Sequence, residues 1–423
     1  MRTVLTLIII AGSLLAEDWP EWRGRGRTGV WNETGLVERF PETGPPVSWR
    51  IPIRGGYTGP SVADGRVFVT DYADGIERAL AVEERTGKIL WQAEWPANYR
   101  GLDYPGGPRA TPTVDGDRVY VLGAAGDLLC LRVSDGGVLW QKNYARDYGA
   151  EQTNWGTSCA PIVDGGNLII VAGGRPDAKL IALDKLTGKQ QWRALSSDSE
   201  RGYSQPILTR TARGERLVVW HAGGVSLVNP RNGGVDWEHA FPIRFNTPIG
   251  TPVVANGFVL VSAFFQGARL LNLESGELIW RGMSDNEVQS DTLHAALNTP
   301  VIDGEFIYGV CAYGELRCLN LRTGKRVWET LQLTRERARY STAFIVRNGS
   351  RYLFHTDRGD LVIGLLSRKG FEEISRANII RPTAKPGARR ELGAVNWVHP
   401  AFANGHVIVR NDEEMIRVSL RRR

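Results

Sequence analysis

Ala182-Leu183-Asp184-Lys185-Leu186-Thr187-Gly188-Lys189-Gln190-Gln191-Trp192 is the stretch on which the reading of this chain turns, because near-copies of it recur along most of the 423 residues. Leu180 to Leu183 alternate as a half-buried strand does, and Asp184 is well suited to accept a turn's backbone N–H on its carboxylate. Gly188 supplies the positive φ of a tight turn or bulge, and a second strand runs to Trp192. The stretch therefore reads as a β-hairpin. It returns as Thr86-Gly87 to Trp91, Asp135-Gly136 to Trp140, Asn232-Gly233 to Trp237, Ser275-Gly276 to Trp280 and Thr323-Gly324 to Trp328.

A second phrase precedes the hairpins: a Pro, a short apolar run, then Asp-Gly or Asn-Gly opening a strand. It is found at Pro60 with Asp64-Gly65, Pro112 with Asp115-Gly116, Pro161 with Asp164-Gly165, Pro252 with Asn256-Gly257, Pro300 with Asp303-Gly304 and Pro400 with Asn404-Gly405. Such dipeptides between apolar runs signal two-residue hairpins. The repeating unit is thus four strands, and successive tryptophans from Trp49 to Trp328 stand 42 to 52 residues apart, the period of a propeller blade.

The repeat predicts an all-β, eight-bladed propeller of four-stranded antiparallel blades near 58–95, 110–144, 159–194, 204–240, 250–282, 298–330, 341–375, and 398–420 joined to 46–52. The seventh is the most divergent, with Ala343 in the Pro place and Phe371 in the Trp place, so seven blades is the competing count. The three strands at 398–420 lack a fourth, which the segment around Trp49 supplies. Closing the ring this way removes two strand edges that would otherwise template aggregation. Trp49, Trp91, Trp140, Trp192, Trp237, Trp280 and Trp328 are expected to wedge between blades, each indole N–H meeting a backbone carbonyl. On full burial, Trp192→Ala would destabilise by roughly 3 to 5 kcal/mol.

Before the propeller, Met1-Arg2, the apolar run Val4 to Leu15 and Ala16 read as a secretory signal peptide, 1–16, with cleavage after Ala16 despite a poor Leu14. That run is short for a membrane span, and the first cysteine is Cys130, which argues against a lipid anchor. A soluble periplasmic or extracellular monomer is expected. Residues 17–45, rich in Gly, Arg and Pro, read as an extended arm laid over the 46–420 domain. The net charge is +6, but its arginines are scattered and lie on no recognition helix, which favours a solvated surface over a nucleic-acid footprint.

The innermost strands of a propeller begin at its central channel, so the residues before each Pro should ring one mouth. Three places before, these are Tyr57, Arg109, Ser158, Tyr203, Ile249, Leu297, Tyr340 and Trp397, with Asn298 and His399 nearer their prolines. Aromatic faces and Arg are common anchors in binding sites, although the same aromatics could simply plug the channel. Arg335, Arg337 and Arg339, with Arg389 and Arg390, could make this face cationic. Asp285, Glu287 and Asp291 form a loop that reads either as solvated or as a calcium holder. Cys311 and Cys318 flank Tyr313-Gly314 in a register that looks diagonal, so a disulfide between them stays open. The histidines show no paired metal-ligand spacing, and no metal site or catalytic constellation stands out.

The spacing Ala-x-Asp-x-x-x-Gly-x-x-x-Trp, met by Ala182, Asp184, Gly188 and Trp192, resembles the docking motif of the quinoprotein alcohol dehydrogenase-like propellers, the pyrroloquinoline-quinone (PQQ) repeat proteins. The resemblance covers roughly 46–420, and Trp19-Pro20-x-Trp22-Arg23-Gly24 resembles the opening of secreted bacterial members. It implies one of two functions. The first is a non-catalytic scaffold that binds a protein or polysaccharide partner, as in the propeller of the outer-membrane barrel-assembly machinery. The second is a dehydrogenase using PQQ and calcium to oxidise an alcohol or sugar. The adjacent-cysteine disulfide found over the quinone in many of those enzymes has no counterpart among Cys130, Cys159, Cys311 and Cys318, nor is there a Cys-x-x-Cys-His for haem. The enzymes' calcium ligands and general base find no matching positions. The scaffold is therefore the leading expectation.

Overall fold

The computed structural model describes residues 17–385 and 393–422. These form eight four-stranded antiparallel sheets, each ordered by sequence from the inside out except the last. Blades 1 to 7 span 61–96, 113–143, 162–194, 207–240, 253–281, 301–330 and 343–378. Blade 8 consists of Ala401–Ala403, His406–Arg410 and Glu414–Ser419, with Val47–Pro52 as its outer strand. The ring is closed as the sequence predicts: Trp49 faces Arg417, Arg50 faces Ile416 and Ile51 faces Met415. Eight blades, not seven, are present.

Each hairpin of the repeat follows its sequence logic. Asp184 Oδ1 accepts from the backbone N–H of Leu186 and Thr187, at 3.1 and 2.8 Å, and Gly188 takes φ 69°. A prolyl residue stands immediately before the innermost strand in blades 1 to 6 and 8. That strand is the channel-side edge of its sheet, where a missing N–H breaks no ladder bond.

The blades are joined by one repeated contact. The indole N–H of Trp49, Trp91, Trp140, Trp192, Trp237, Trp280 and Trp328 donates to the carbonyl of Glu84, Val133, Lys185, Pro230, Leu273, Leu321 and Ser367 in the following blade, at 2.7 to 3.2 Å. Six of these rings, all but that of Trp328, lie against the turn glycine of the following blade. A Cβ on Gly188 would stand 2.8 Å from Trp140, and one on Gly233 would stand 2.7 Å from Trp192. Glycine is thus demanded twice, by the left-handed turn and by the approaching ring. Trp49 and Trp91 are buried, whereas Trp192 and its other equivalents are half-buried at the outer rim.

The seam between blades 7 and 8 cannot be built this way. Its socket would be the turn between the third and fourth strands of blade 8, and the chain has no such turn because those strands come from opposite ends. Phe371 accordingly folds back on its own blade, 5.5 Å from Phe354 and against Gly364. The N-terminal arm fills the gap instead. Trp31 is fully buried in a cluster with Val346, Leu353 and Ile363 of blade 7 and Phe402, Val407 and Val418 of blade 8. Trp31 N–H donates to Arg347 O at 2.8 Å, Val37 N–H to Leu420 O at 2.8 Å, and the Asn348 amide to the carbonyls of Trp31 and Glu33.

The four cysteines are buried free thiols, so Cys311 and Cys318 form no bridge. Cys318 faces Tyr308 across the ladder, while Cys311 lies past its end and accepts from His294 N–H. In the acidic loop, Glu287 pairs with Arg339 at 3.1 Å and Asp291 accepts from Met283 and Thr292 N–H.

Half-exposure of Trp192 lowers the expected loss on Trp192→Ala to about 2 to 4 kcal/mol. Trp31→Ala, which empties a closed seam, should cost about 3 to 5 kcal/mol. Denaturant melts of the two variants check this order, and equal midpoints would contradict the division of labour between seams.

Candidate functional site: an aromatic cavity at the channel mouth

The chain enters each innermost strand from the loop that crosses over from the previous blade, and the residues before the Pro therefore converge on the axis. Tyr57, Arg109, Ser158, Tyr203, Ile249, Leu297, Tyr340 and Trp397 all line one cavity of about 200 Å³. The aromatics do not fill the channel: they wall a space within it. Trp155 packs on Tyr203 at 5.1 Å, Phe264 on Tyr340 at 4.9 Å, and Trp397 meets both Tyr104 and Tyr340 edge-on at 6.1 and 6.3 Å. Tyr104 and Tyr340 hold left-handed backbone conformations, φ 53° and 65°. Non-glycine residues at such angles are strained and cluster at functional sites.

Asn298 and His399 lie elsewhere. Asn298 is buried as a strut, its amide donating to Val310 O and Thr342 Oγ1 at 2.8 and 3.1 Å. His399 sits beneath the cavity between Trp22, at 4.7 Å, and Phe344, at 5.1 Å, with Nδ1 2.7 Å from Pro400 O. Both side chains are thus spent on packing between blades, whereas Gln205 and Thr299, directly before their own prolines, do reach the cavity.

The cavity floor comes from the arm. Trp22 lines the cavity and donates from Nε1 to Thr251 Oγ1 of blade 5 at 2.9 Å. Around it, Trp19 pairs with Val62 of blade 1 and Pro20 accepts from Val114 of blade 2. Arg27, fully buried, donates to Ala160 O, Pro161 O and Pro206 O of blades 3 and 4 while its Nε pairs with Glu21 at 3.0 Å. The arm thus lies against the innermost strands of blades 1 to 5.

Arg109 is the one charged side chain in the described wall. Its guanidinium is held by the carbonyls of Gly107, Asp103 and Tyr104 at 2.5 to 2.9 Å and lies 5.5 Å from the Tyr57 ring. Burial pulls Arg109 below the usual guanidinium range and pushes the Tyr57 phenol up to about 12. The nearby arginines do not add to this field as the sequence suggests. Arg335, Arg337 and Arg339 pair with Glu373, Glu315 and Glu287 at 2.9 to 3.3 Å, while Arg389 and Arg390 lie outside the described residues. The indole Nε1 atoms of Trp155 and Trp397 are buried with no hydrogen-bond partner among the described residues. The site therefore offers apolar faces and an excess of donors, which suits a ligand carrying an aromatic or aliphatic body and acceptor oxygens.

Sequence reasoning missed Tyr104, Trp155, Phe264, Phe265, Phe344 and Trp22, all in the wall. Tyr104 and Trp155 belong to the crossover loops, and Phe264-Phe265 stands at the hairpin between the second and third strands of blade 5. Two adjacent phenylalanines at a turn were a usable signal.

Eight four-stranded blades, sealed by indoles on turn glycines around an aromatic mouth, define a β-propeller of the PQQ-like repeat class. The chain belongs to the family described as outer membrane protein assembly factor BamB, whose model matches residues 33–155 and 78–330. Its fold is similar to that of BamB from Moraxella catarrhalis, with TM-score 0.61 and 15% identity over 89% of this chain and 99% of that one. It is also similar to the quinohemoprotein alcohol dehydrogenase ADHIIG from Pseudomonas putida HK5, with TM-score 0.61 and 11% identity over 95% of this chain and 80% of that one. The computationally designed Ika8 protein matches with TM-score 0.55 and 12% identity over 87% and 98% of the two chains. Among curated protein sequences none matches. At these identities the structural likeness establishes the fold alone.

Burial, helped by Arg23, holds His399 down at about 3, and His355 is likewise pushed to about 4. Both are neutral in the fold but titrate near 6.5 when unfolded, so the unfolded chain binds more protons between those values and stability falls as pH drops below about 6.5. Each such group contributes a slope of up to about 1.4 kcal/mol per pH unit. Unfolding midpoints followed from pH 7 to 4 should decline, and less steeply in His399→Gln; parallel declines would remove His399 from the account.

Proposed function

We propose that this chain is an extracytoplasmic binding module, and that the channel-mouth cavity, itself non-catalytic, receives a segment of a protein or polymer partner. The carrying observation is the cavity itself: aromatic walls, two indole N–H groups with no partner among the described residues, and a guanidinium held by backbone carbonyls. Tyr57, Arg109, Ser158, Tyr203, Tyr340 and Trp397 are the residues we assign to recognition. The partner segment would insert an apolar group between Tyr203 and Trp397 and present oxygens to Arg109. Membership of the BamB family supports the binding role, and a propeller that places its loops on one face is built to present them. A signal peptide at 1–16 would deliver it beyond the cytoplasmic membrane; that segment lies outside the described residues. Among the described residues no helix is long and apolar enough to cross a membrane. We assign no nucleic-acid role and a monomeric state.

The quinone dehydrogenase reading fits less well. Aromatic faces and Arg109 would suit a planar, carboxylate-bearing ring such as PQQ. The wall, however, contributes no Asp, Glu or His to hold calcium or to act as a general base, and no grouping of three or more His, Cys, Asp or Glu able to bind a metal occurs among the described residues.

The deciding experiment is capture of partners from the extracytoplasmic fraction of the native cell. Tyr203→Ala combined with Trp397→Ala should reduce recovery at least about tenfold, since each lost aromatic contact contributes on the order of 1 to 2 kcal/mol, in a variant whose cooperative melt shows that it is folded at the assay temperature. Arg109→Met should weaken binding and remove its salt dependence. Recovery unchanged in both variants would take the cavity out of the function, and dye-linked alcohol or sugar oxidation on adding PQQ and calcium would overturn the non-catalytic reading.

A further inference from the structure

A second cavity, about 740 Å³ and far more polar, lies between blades 3 and 4. Into its wall run Lys179, from the strand Ala178–Asp184, and Ser199, from the loop that links the two blades. Lys179 is 1% exposed, yet its Nζ has uncharged hydrogen-bond partners: Ser199 Oγ at 2.7 Å and His221 Nδ1 at 3.3 Å. Ser199 Oγ is also 3.3 Å from His221 Nδ1, so one hydroxyl is flanked by two basic nitrogens. The ring is oriented by its surroundings. His221 Nδ1 accepts from Gly223 N–H, and Nε2 faces Ser226 Oγ at 3.3 Å, which in turn donates to Glu238 at 3.2 Å. A Cβ on Gly223 would stand 2.7 Å from Ser199 Oγ, so glycine keeps one side of that hydroxyl open. The same wall holds Arg201, whose buried Nε has no partner among the described residues and is of the donor type that stabilises an oxyanion.

We propose that Ser199 is an acyl-accepting nucleophile with Lys179 as its general base, and that this cavity cleaves carboxylic esters with polar substituents. Ser199 Oγ bonds to the ester carbonyl carbon as its proton passes to the neutral amine of Lys179. The carbon–oxygen bond to the alcohol then breaks, and the ammonium returns the proton to the departing oxygen. Water attacks the acyl-serine in turn, Lys179 takes the water proton and delivers it to Oγ, and the carboxylic acid leaves. Burial lowers Lys179 to about 8, with Glu238 and Asp198 opposing the shift, and holds His221 at about 3. Near neutral pH a useful fraction of the amine is therefore a base. Arg175, Glu200, His239 and Asn246 also line the cavity and select for polar groups on the ester.

The test uses the whole protein with a fluorophosphonate probe and p-nitrophenyl acetate. The expected results are a probe adduct at Ser199, found by peptide mass spectrometry, and hydrolysis that rises with pH to a plateau above about 8. Ser199→Ala and Lys179→Met should each lower the rate by roughly 10²-fold or more, and Lys179→Met should lose the pH inflection. Absence of a Ser199 adduct on the native protein, or an unchanged rate in a folded Ser199→Ala variant, would overturn the proposal. The adduct site is read on the unsubstituted protein, so it decides the matter even if a variant fails to fold.

Discussion

An indole laid on a glycine is the contact on which the ring depends. Each blade is a twisted sheet with apolar faces that only its neighbours can cover, and the repeated hairpin supplies both halves of the joint. The tryptophan of one blade reaches across, and the turn glycine of the next accepts its ring while a carbonyl beside that turn takes its N–H, as with Trp140, Gly188 and Lys185. Because the socket sits in the turn before the outermost strand, it disappears where the two chain ends meet. That single topological fact explains the loss of the tryptophan at Phe371 and the burial of Trp31 from the arm in the same seam.

The arm also turns a channel into a blind cavity. Arg27 ties it to blades 3 and 4 through backbone carbonyls, and Trp22 closes the floor beneath the aromatic wall. A buried guanidinium is tolerated there because carbonyls and Glu21 satisfy it. Arg109 is held in the same manner but with carbonyls alone among the described residues, so its charge is directed by the backbone and is not spent on a carboxylate.

The two cavities share one connecting segment. Ser199 and Arg201 face the polar cavity, while Tyr203 and Gln205 line the aromatic one. Gln205 bridges Ala160 N–H and Ser158 O, and Ser204 donates to Gly250 O, which fixes the loop between the two sites. A ligand that moved Tyr203 would therefore act on the backbone that carries Ser199.

The sequence by itself determined the four-stranded repeat, with eight as the leading blade count, the closure by Val47–Pro52 and the residues three places before each Pro that meet at the channel mouth. It could do so because each rests on local chemistry: a turn that needs Asp and Gly, a period set by four strands, a Pro confined to the channel edge. The tertiary structure alone decided what no repeat encodes. It laid the arm across the innermost strands, brought Trp22, Trp155 and Phe264 to the cavity, paired Arg335, Arg337 and Arg339 with carboxylates, and buried Asn298 and His399 as packing. It also set Lys179 beside Ser199 and His221, residues of two different blades and the loop between them. Those contacts join positions far apart in the chain, and their existence depends on the angle between neighbouring blades, which only the closed ring fixes.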